Sequence, residues 1–131
     1  MSNIAMLHEK DPKDALMEQV GDLLSEVNIF NMKVLVAVYI RPEKTKGGLF
    51  LSEKARDEDR FQSKIGLVLK KGPTAFVDED GKWFSGLAVK EGDWVVFRPS
   101  DGWGLTINGT MCRMLDDMSI QGTVSHPDQI W

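Results

Sequence analysis

The sequence predicts a mainly-β fold, a small antiparallel β-barrel of short strands that follows a helical N-terminal segment. Short runs of β-branched and aromatic residues recur between turn signals over residues 32–124. An Asp-Gly pair at positions 80 and 81 and an Asn-Gly pair at 108 and 109 are typical of tight hairpin turns. A helical spacing of apolar residues precedes these strands, within residues 12–27. Together these observations favour a small barrel or sandwich with an N-terminal helix.

Length and composition indicate a single domain. The 131 residues, 42% apolar and 27% charged, suit one folded core. Sixteen basic against 20 acidic residues give a net charge of −4, which opposes binding to a phosphate backbone. No run approaches the roughly 20 apolar residues of a membrane span, and the first residues lack the pattern of a signal peptide. We therefore expect a cytoplasmic protein that binds neither nucleic acid nor membrane.

The N-terminal extension, residues 1–31, is predicted to contain one amphipathic helix. Asp11 can accept hydrogen bonds from the first amides of a helix, and Pro12 suits the first helical position. The apolar spacing extends the predicted helix over residues 12–27, although Gly21 inside it costs about 1 kcal/mol relative to alanine. The partner of this helix is not identifiable from the sequence.

Two strands with buried character flank a long segment without periodicity. Residues 32–40 are nearly all apolar and β-branched, which is typical of a strand covered on both faces, and residues 64–70 resume strand character. Between them, residues 43–63 are predicted to form a loop, because no periodicity is visible and a charged run fills its second half.

An apolar tripeptide in this loop follows a glycine pair. The segment consists of Gly47, Gly48, Leu49, Phe50 and Leu51. Two interpretations stay open: an ordinary short strand between turns, or an exposed apolar segment on a tether that becomes ordered on meeting a partner.

The second half of the chain alternates strands and turns. Residues 75–84 are predicted to form a hairpin with an acidic tip, a buried strand follows at 94–97, and residues 105–114 form a second hairpin. A turn over 116–119 and a short last strand at 120–124 complete the pattern. The residues of the acidic tip are Asp78, Glu79, Asp80 and Gly81.

Catalytic and metal chemistry are not expected. Cys112 lies among apolar residues, which predicts a buried structural thiol. His8 and His126 lie near opposite ends of the chain, and on that ground we expect no metal site. No nucleophile with a base, carboxylate pair or cofactor motif is indicated, so we expect a protein that is not an enzyme and needs no cofactor of its own.

Five segments resemble the chaperonin-10 (GroES) co-chaperonins in order and spacing. They are residues 32–36, 47–51, 64–69, 89–97 and 113–120. The resemblance implies a GroES-like β-barrel over residues 32–124, between the extension 1–31 and a C-terminal tail, 125–131. It also implies an oligomeric ring, normally a heptamer, that caps a GroEL-type chaperonin and closes a chamber in which unfolded client proteins fold. ATP is then bound by the partner chaperonin.

The resemblance implies roles for particular residues. Residues 43–63 form a mobile loop whose tripeptide, with Gly47 and Gly48 before it, docks on the chaperonin. The hairpin 75–84 forms the roof of the dome, and Trp103 faces the dome interior. The first and last strands join neighbouring subunits. The interface residues in this interpretation are Val34, Val36, Val38, Ile120 and Val124.

Three departures distinguish this sequence from compact members of that family. The extension 1–31 has no counterpart in them, Phe50 replaces the usual branched aliphatic residue, and the loop after the tripeptide is longer. The longer loop resembles phage-encoded co-chaperonins, which enlarge the chamber for a capsid protein, so the resemblance includes a phage origin and action in the host cytoplasm.

Two other classes of protein compete with this interpretation. The alternative is a structural or scaffolding oligomer that uses the β-barrel for assembly, with the N-terminal helix as its contact. GroES-like barrels also occur in medium-chain dehydrogenases, but those need a nucleotide-binding domain and zinc ligands, and we expect neither from this sequence.

Overall fold

The computed structural model describes residues 6, 8, 10–42, 48–77, 84 and 88–129. The strands of this part of the chain are β1 (Lys33–Val38), β2 (Ile65–Lys71), β3 (Trp94–Val96), β4 (Trp103–Ile107), β5 (Thr110–Asp116) and β6 (Gly122–Val124). Its α-helices are α1 (Pro12–Val20) and α2 (Glu53–Gln62), and its 3₁₀ turns are Gly21–Glu26, Asp117–Ser119 and Pro127–Gln129. Among these residues, no helix combines the length and the apolar character that a bilayer crossing requires.

The strands form one antiparallel sheet in the order β4-β5-β1-β2-β3-β6. The prediction of a mainly-β antiparallel fold is confirmed. The predicted closure into a barrel is not observed, because β4 and β6 remain the two edges of the described sheet and do not pair with each other. The ladder between β3 and β6 consists of three residue pairs.

The second predicted hairpin is confirmed by the pairing of β4 with β5. Asn108 and Gly109 connect the two strands with φ angles of 50° and 77°. Two successive residues in the left-handed region form the turn whose twist matches that of antiparallel strands, and asparagine followed by glycine adopts it most readily.

The central strand β1 is covered on both faces. Leu35, Ala37 and Tyr39 belong to one cluster of buried side chains, whereas Val34 and Val36 belong to a second. This alternation follows from the two-residue period of a strand, and it explains why the β1 sequence is apolar at nearly every position. The prediction of a strand buried on both sides is confirmed.

The N-terminal extension covers one face of the sheet. Val20 is fully buried in the first cluster, and partly buried side chains from residues 16–29 pack beside it. Asn108, at the tip of the β4–β5 hairpin, donates from Nδ2 to the carbonyl oxygens of Gln19 and Val20 at 3.0 and 3.4 Å. These bonds satisfy carbonyls that the end of α1 leaves without helical partners. The partner of the predicted helix is therefore the sheet.

The predicted helix over residues 12–27 is confirmed only as far as Val20. Gly21 ends α1 with a φ of 64°, and the chain continues as a 3₁₀ turn, Gly21–Glu26. A positive φ interrupts α-helical hydrogen bonding, and glycine tolerates it without a steric penalty.

The prediction that residues 43–63 form a loop throughout is wrong in its second half, which contains α2. Ser52 caps this helix, because its side chain accepts a hydrogen bond from the Ala55 amide at 3.0 Å. The helix is attached to the chain just beyond β1 through a buried carboxylate, Asp59, which accepts hydrogen bonds from Arg41. An apolar stripe is the usual sign of a packed helix, and here a charged residue takes its place.

The first arm of the hairpin predicted over residues 75–84 is not a strand. Residues 73–76 form a turn, and Phe76 adopts a φ of 62° while its amide donates to Asp117 Oδ2 at 3.0 Å. A residue in the left-handed region cannot continue a β-ladder. Residues 78–83 of this segment, together with 85–87, lie outside the described residues.

Candidate functional site

The apolar tripeptide lies at the protein surface. Leu49 is 71% exposed and Phe50 is 72% exposed, whereas Leu51 is half-buried. Gly48 precedes them with a φ of 90°, in the region that favours glycine, and Gly47 lies outside the described residues. Adjacent exposed side chains of this size are typical of a surface that binds another protein.

The tripeptide is immediately followed by an anchored helix. Asp59, on α2, is only 2% exposed and accepts from the backbone amide of Arg41 at 2.9 Å. The Arg41 guanidinium donates to the same carboxylate through Nε and Nη2, each at 3.0 Å. Arg56 Nε donates back to the Arg41 carbonyl at 3.1 Å. This arrangement, the Arg41–Asp59 clamp, attaches α2 to the chain just beyond β1.

The position of Trp103 depends on a glycine before it. Trp103 begins the edge strand β4, opposite Met114, and is 58% exposed. Gly102 turns the chain into β4 with a φ of 70°, and a Cβ there would lie 2.2 Å from the Met114 carbonyl oxygen. A larger residue at position 102 would therefore displace the start of β4 and the exposed indole with it.

The structure places the predicted interface valines inside the protomer. Val34, Val36 and Val38 are at most 2% exposed, and both edges of β1 are already paired, with β2 and β5. Within the described sheet they therefore offer neither an exposed side chain nor a free strand edge, and their assignment to a subunit interface stays a prediction. The resemblance implies that the first strand joins neighbouring subunits, whereas β1 lies between β5 and β2 in the described sheet.

The last strand, β6, lies at an edge of the described sheet, whereas β1 lies inside it. Ile120 and Val124 are half-buried, and β6 pairs with β3 along one edge only within the described sheet. An edge strand of this kind can accept a strand from another chain. The interface prediction for these two residues stays a prediction.

The predicted acidic tip, Asp78, Glu79, Asp80 and Gly81, lies outside the described residues. At its base, the rings of Phe76 and Phe84 meet edge to face with centroids 5.3 Å apart. A cleft of about 350 Å³ opens beside them, and Met118 and Ile120 contribute to its lining. This cleft lies next to β6, near the edge strand described above.

Cys112 is a buried thiol, as predicted. It is fully buried on β5, and burial raises its pKa to about 11, against the opposing influence of a backbone hydrogen bond at Ile107. A thiol is nucleophilic only as thiolate, so this residue is inert at neutral pH.

Sequence reasoning missed a cluster that joins the two ends of the chain. The expectation of no metal site rests on His8 and His126 lying near opposite ends of the sequence, but the fold brings their ring centroids to 5.7 Å from each other. Asp128 lies between them, and its Oδ1 accepts a 2.6 Å hydrogen bond from the Tyr39 hydroxyl. Burial and this bond raise the pKa of Tyr39. No spacing in the sequence signals the cluster, because its members are brought together by the fold alone.

Comparison with known proteins identifies the family to which this chain belongs. The family model described as "Chaperonin 10 Kd subunit" matches residues 26–124. The co-chaperonin GroES of Ruegeria sp. is 30% identical over 92 residues, covering 70% of this chain and 90% of that protein. The co-chaperonin GroES of Dinoroseobacter shibae is 31% identical over 93 residues, covering 71% and 84%. The 10 kDa chaperonin of Brassica napus is 33% identical over 96 residues, covering 73% and 90%.

The matched range contains all six strands, the exposed tripeptide and α2, and begins after α1. The match accounts for most of the chain, and two of these relatives are named as co-chaperonins. On this ground the chain belongs to the chaperonin-10 family of co-chaperonins.

Proposed function

We propose that this co-chaperonin assembles into a heptameric ring that caps a GroEL-type chaperonin in the cytoplasm and closes its chamber around unfolded client proteins. ATP binding and hydrolysis belong to the chaperonin. The observation that carries the proposal is the adjacent exposure of Leu49 and Phe50, at 71% and 72%. An apolar pair presented to solvent gains free energy by entering an apolar groove of a partner.

The anchored helix supports docking by this segment. Leu51 is followed directly by Ser52, which caps α2, and the Arg41–Asp59 clamp holds α2 against the end of β1. The tripeptide is thus attached on its C-terminal side to an ordered element. Ordering fewer residues on binding lowers the entropic cost, which is about 1 to 2 kcal/mol for each residue.

The binding free energy expected for one tripeptide is suited to reversible capping of the chaperonin. Burying three side chains of this kind contributes roughly 5 to 9 kcal/mol before ordering costs are subtracted. A single tripeptide therefore binds weakly. Several joined in one ring act at high effective concentration, so the ring binds firmly. A modest change in the partner's grooves then releases all of them together.

Ring assembly is best placed at the last strand. The outer edge of β6 lacks a strand partner within the described sheet, and the cleft beside Phe76 and Ile120 adds apolar surface next to it. In a ring of this kind, the segment 75–84 forms the roof of the dome and Trp103 faces the dome interior.

A phage capsid protein is the specific client that we propose for a member with this extension. The family match begins at residue 26 and leaves out α1, so the chain has an element that the family model lacks. The long segment after the tripeptide, which also suggested a phage-encoded protein, contains α2. Support for this client rests on these additions.

The tripeptide assignment is tested by Phe50→Asp. The charge makes burial in an apolar groove unfavourable, so we expect loss of binding to a GroEL-type chaperonin, by at least about 100-fold. Binding is measured by light scattering or analytical ultracentrifugation with ATP present.

The matched control is Phe30→Asp, because Phe30 is 71% exposed and lies outside the tripeptide. This variant should bind as the unsubstituted chain does, and both variants should retain the circular dichroism spectrum and ring mass of that chain. Normal capping by the Phe50→Asp variant would show that the tripeptide is not the docking segment.

A further inference from the structure

The chain's two histidines meet one carboxylate at the surface of the protomer. His8 Nε2 lies 2.9 Å from Asp128 Oδ2, and His126 Nδ1 lies 3.8 Å from the same oxygen. One ligand atom from each of the three residues can be chosen so that all lie within 4.8 Å of one another. Around a tetrahedral zinc ion, ligand atoms are separated by about 3.4 Å, given bond lengths near 2.1 Å. The cluster therefore needs only small side-chain movements to enclose an ion.

The surroundings of the cluster resemble those of a metal ligand set. The Tyr39 hydroxyl donates to Asp128 Oδ1 at 2.6 Å and helps to fix the carboxylate, whose Oδ2 faces the histidines and also accepts from the Met6 amide at 3.4 Å. Hydrogen bonds of this type orient ligating carboxylates in known metal sites. His126 Nδ1 accepts from the Asp128 amide at 3.2 Å, and His8 Nε2 is hydrogen-bonded to Asp128 Oδ2 at 2.9 Å, so an ion bound through these atoms replaces both hydrogen bonds. A neutral imidazole with a lone pair is the form that binds metals.

The cluster is largely buried, but solvent can reach it on the side of His126. The side chains of His8 and Asp128 are each 16% exposed, whereas that of His126 is 40% exposed. An ion can therefore enter beside His126, and a water molecule can complete a four-coordinate site. Two imidazoles and one carboxylate are a ligand set that suits zinc and similar divalent transition metals, in preference to magnesium or calcium.

We propose that His8, His126 and Asp128 form a binding site for one divalent transition-metal ion, with Zn²⁺ as the ion that fits best. His8 precedes α1, and Asp128 lies 120 positions later in the 3₁₀ turn after β6. An ion bound to both therefore links two segments that are distant in the sequence. Its role is structural: the ion holds the N-terminal extension and the segment after the edge strand together. This proposal does not depend on the capping function.

Titration of the complete, tag-free chain with Zn²⁺ tests the site. We expect one Zn²⁺ per chain, and we expect both histidine imidazole signals in the NMR spectrum to shift together, since the chain contains only two histidines. The midpoint of thermal unfolding should rise by about 5 to 10 °C when free Zn²⁺ exceeds the Kd about 100-fold.

Substitutions distinguish Zn²⁺ binding at this site from nonspecific Zn²⁺ binding elsewhere on the chain. His126→Ala should weaken Zn²⁺ binding by more than about 10-fold, as should Asp128→Asn. Asp101→Asn is the matched control, because the Asp101 side chain is 15% exposed and pairs with Arg98 away from the cluster. It should bind Zn²⁺ as the unsubstituted chain does.

Two results would overturn the proposal. One is the absence of any joint shift of the histidine signals at equimolar Zn²⁺ in the unsubstituted chain, a measurement that needs no variant to fold. The other is undiminished affinity in both His126→Ala and Asp128→Asn.

Discussion

At the residue scale, the environment of Cys112 determines its chemistry. The side chain is fully buried, and its Sγ donates to the Thr110 carbonyl at 3.4 Å. Desolvation disfavours the thiolate, which raises the pKa from 9.0 to about 11. The folded protein therefore favours the neutral thiol, and the resulting stabilisation is complete below pH 9 and decreases as the pH rises toward 11.

This shift predicts a specific pH dependence of stability. Between pH 8 and pH 11, the free energy of unfolding should fall by about 2 kcal/mol more in the unsubstituted chain than in Cys112→Ala. Urea unfolding at intervals across this range measures it. The difference between the two proteins removes the contribution of lysines, which titrate in both. Parallel pH profiles of the two proteins would show that the thiol is not desolvated in this way.

At the element scale, the Arg41–Asp59 clamp attaches α2 to the chain just beyond β1. Asp59 receives three hydrogen bonds from Arg41, through the backbone amide, Nε and Nη2. Paired guanidinium and carboxylate groups with this bidentate geometry are stronger than single ion pairs, and loss of one buried partner leaves the other uncompensated. The order of α2, and with it the C-terminal attachment of the tripeptide, therefore depends on this clamp.

Asp59→Ala tests the clamp. We expect the free energy of unfolding to fall by about 3 kcal/mol, because the substitution removes a buried carboxylate and its three hydrogen bonds from Arg41. We also expect faster proteolytic cleavage within α2. Glu58→Ala is the control, since this neighbouring carboxylate is exposed and its loss should change stability by less than about 0.5 kcal/mol. If Asp59→Ala matches Glu58→Ala in both measurements, α2 is not held by the clamp.

Local patterns in the sequence predict the elements better than their arrangement. The β1 segment and the Asn-Gly turn are predictable because β-branched runs and turn residues act over a few positions. The exposed apolar pair is visible for the same reason. The buried contact of α2 is not, because Asp59 faces inward where apolar residues are the usual signal. The central place of β1 and the meeting of His8 with His126 follow from long-range pairing, which no local pattern encodes.

At the scale of the whole molecule, the extension is part of the folded unit. Val20 is fully buried against the sheet, and Asn108 joins the end of α1 to the β4–β5 hairpin. Residues ahead of α1 meet the 3₁₀ turn after β6 through His8 and Asp128. The region outside the family match therefore packs on the matched region, while Leu49 and Phe50 lie exposed at the surface.

Native mass spectrometry of the chain, alone and with a GroEL-type chaperonin and ATP, tests the central claim most directly. We predict a heptamer of the chain alone, and in the mixture a species whose mass is that of the chaperonin plus a complete ring. Phe50→Asp should retain the heptamer and lose the larger species. A chain that stays monomeric under both conditions, or a heptamer that never joins the chaperonin, would contradict the account.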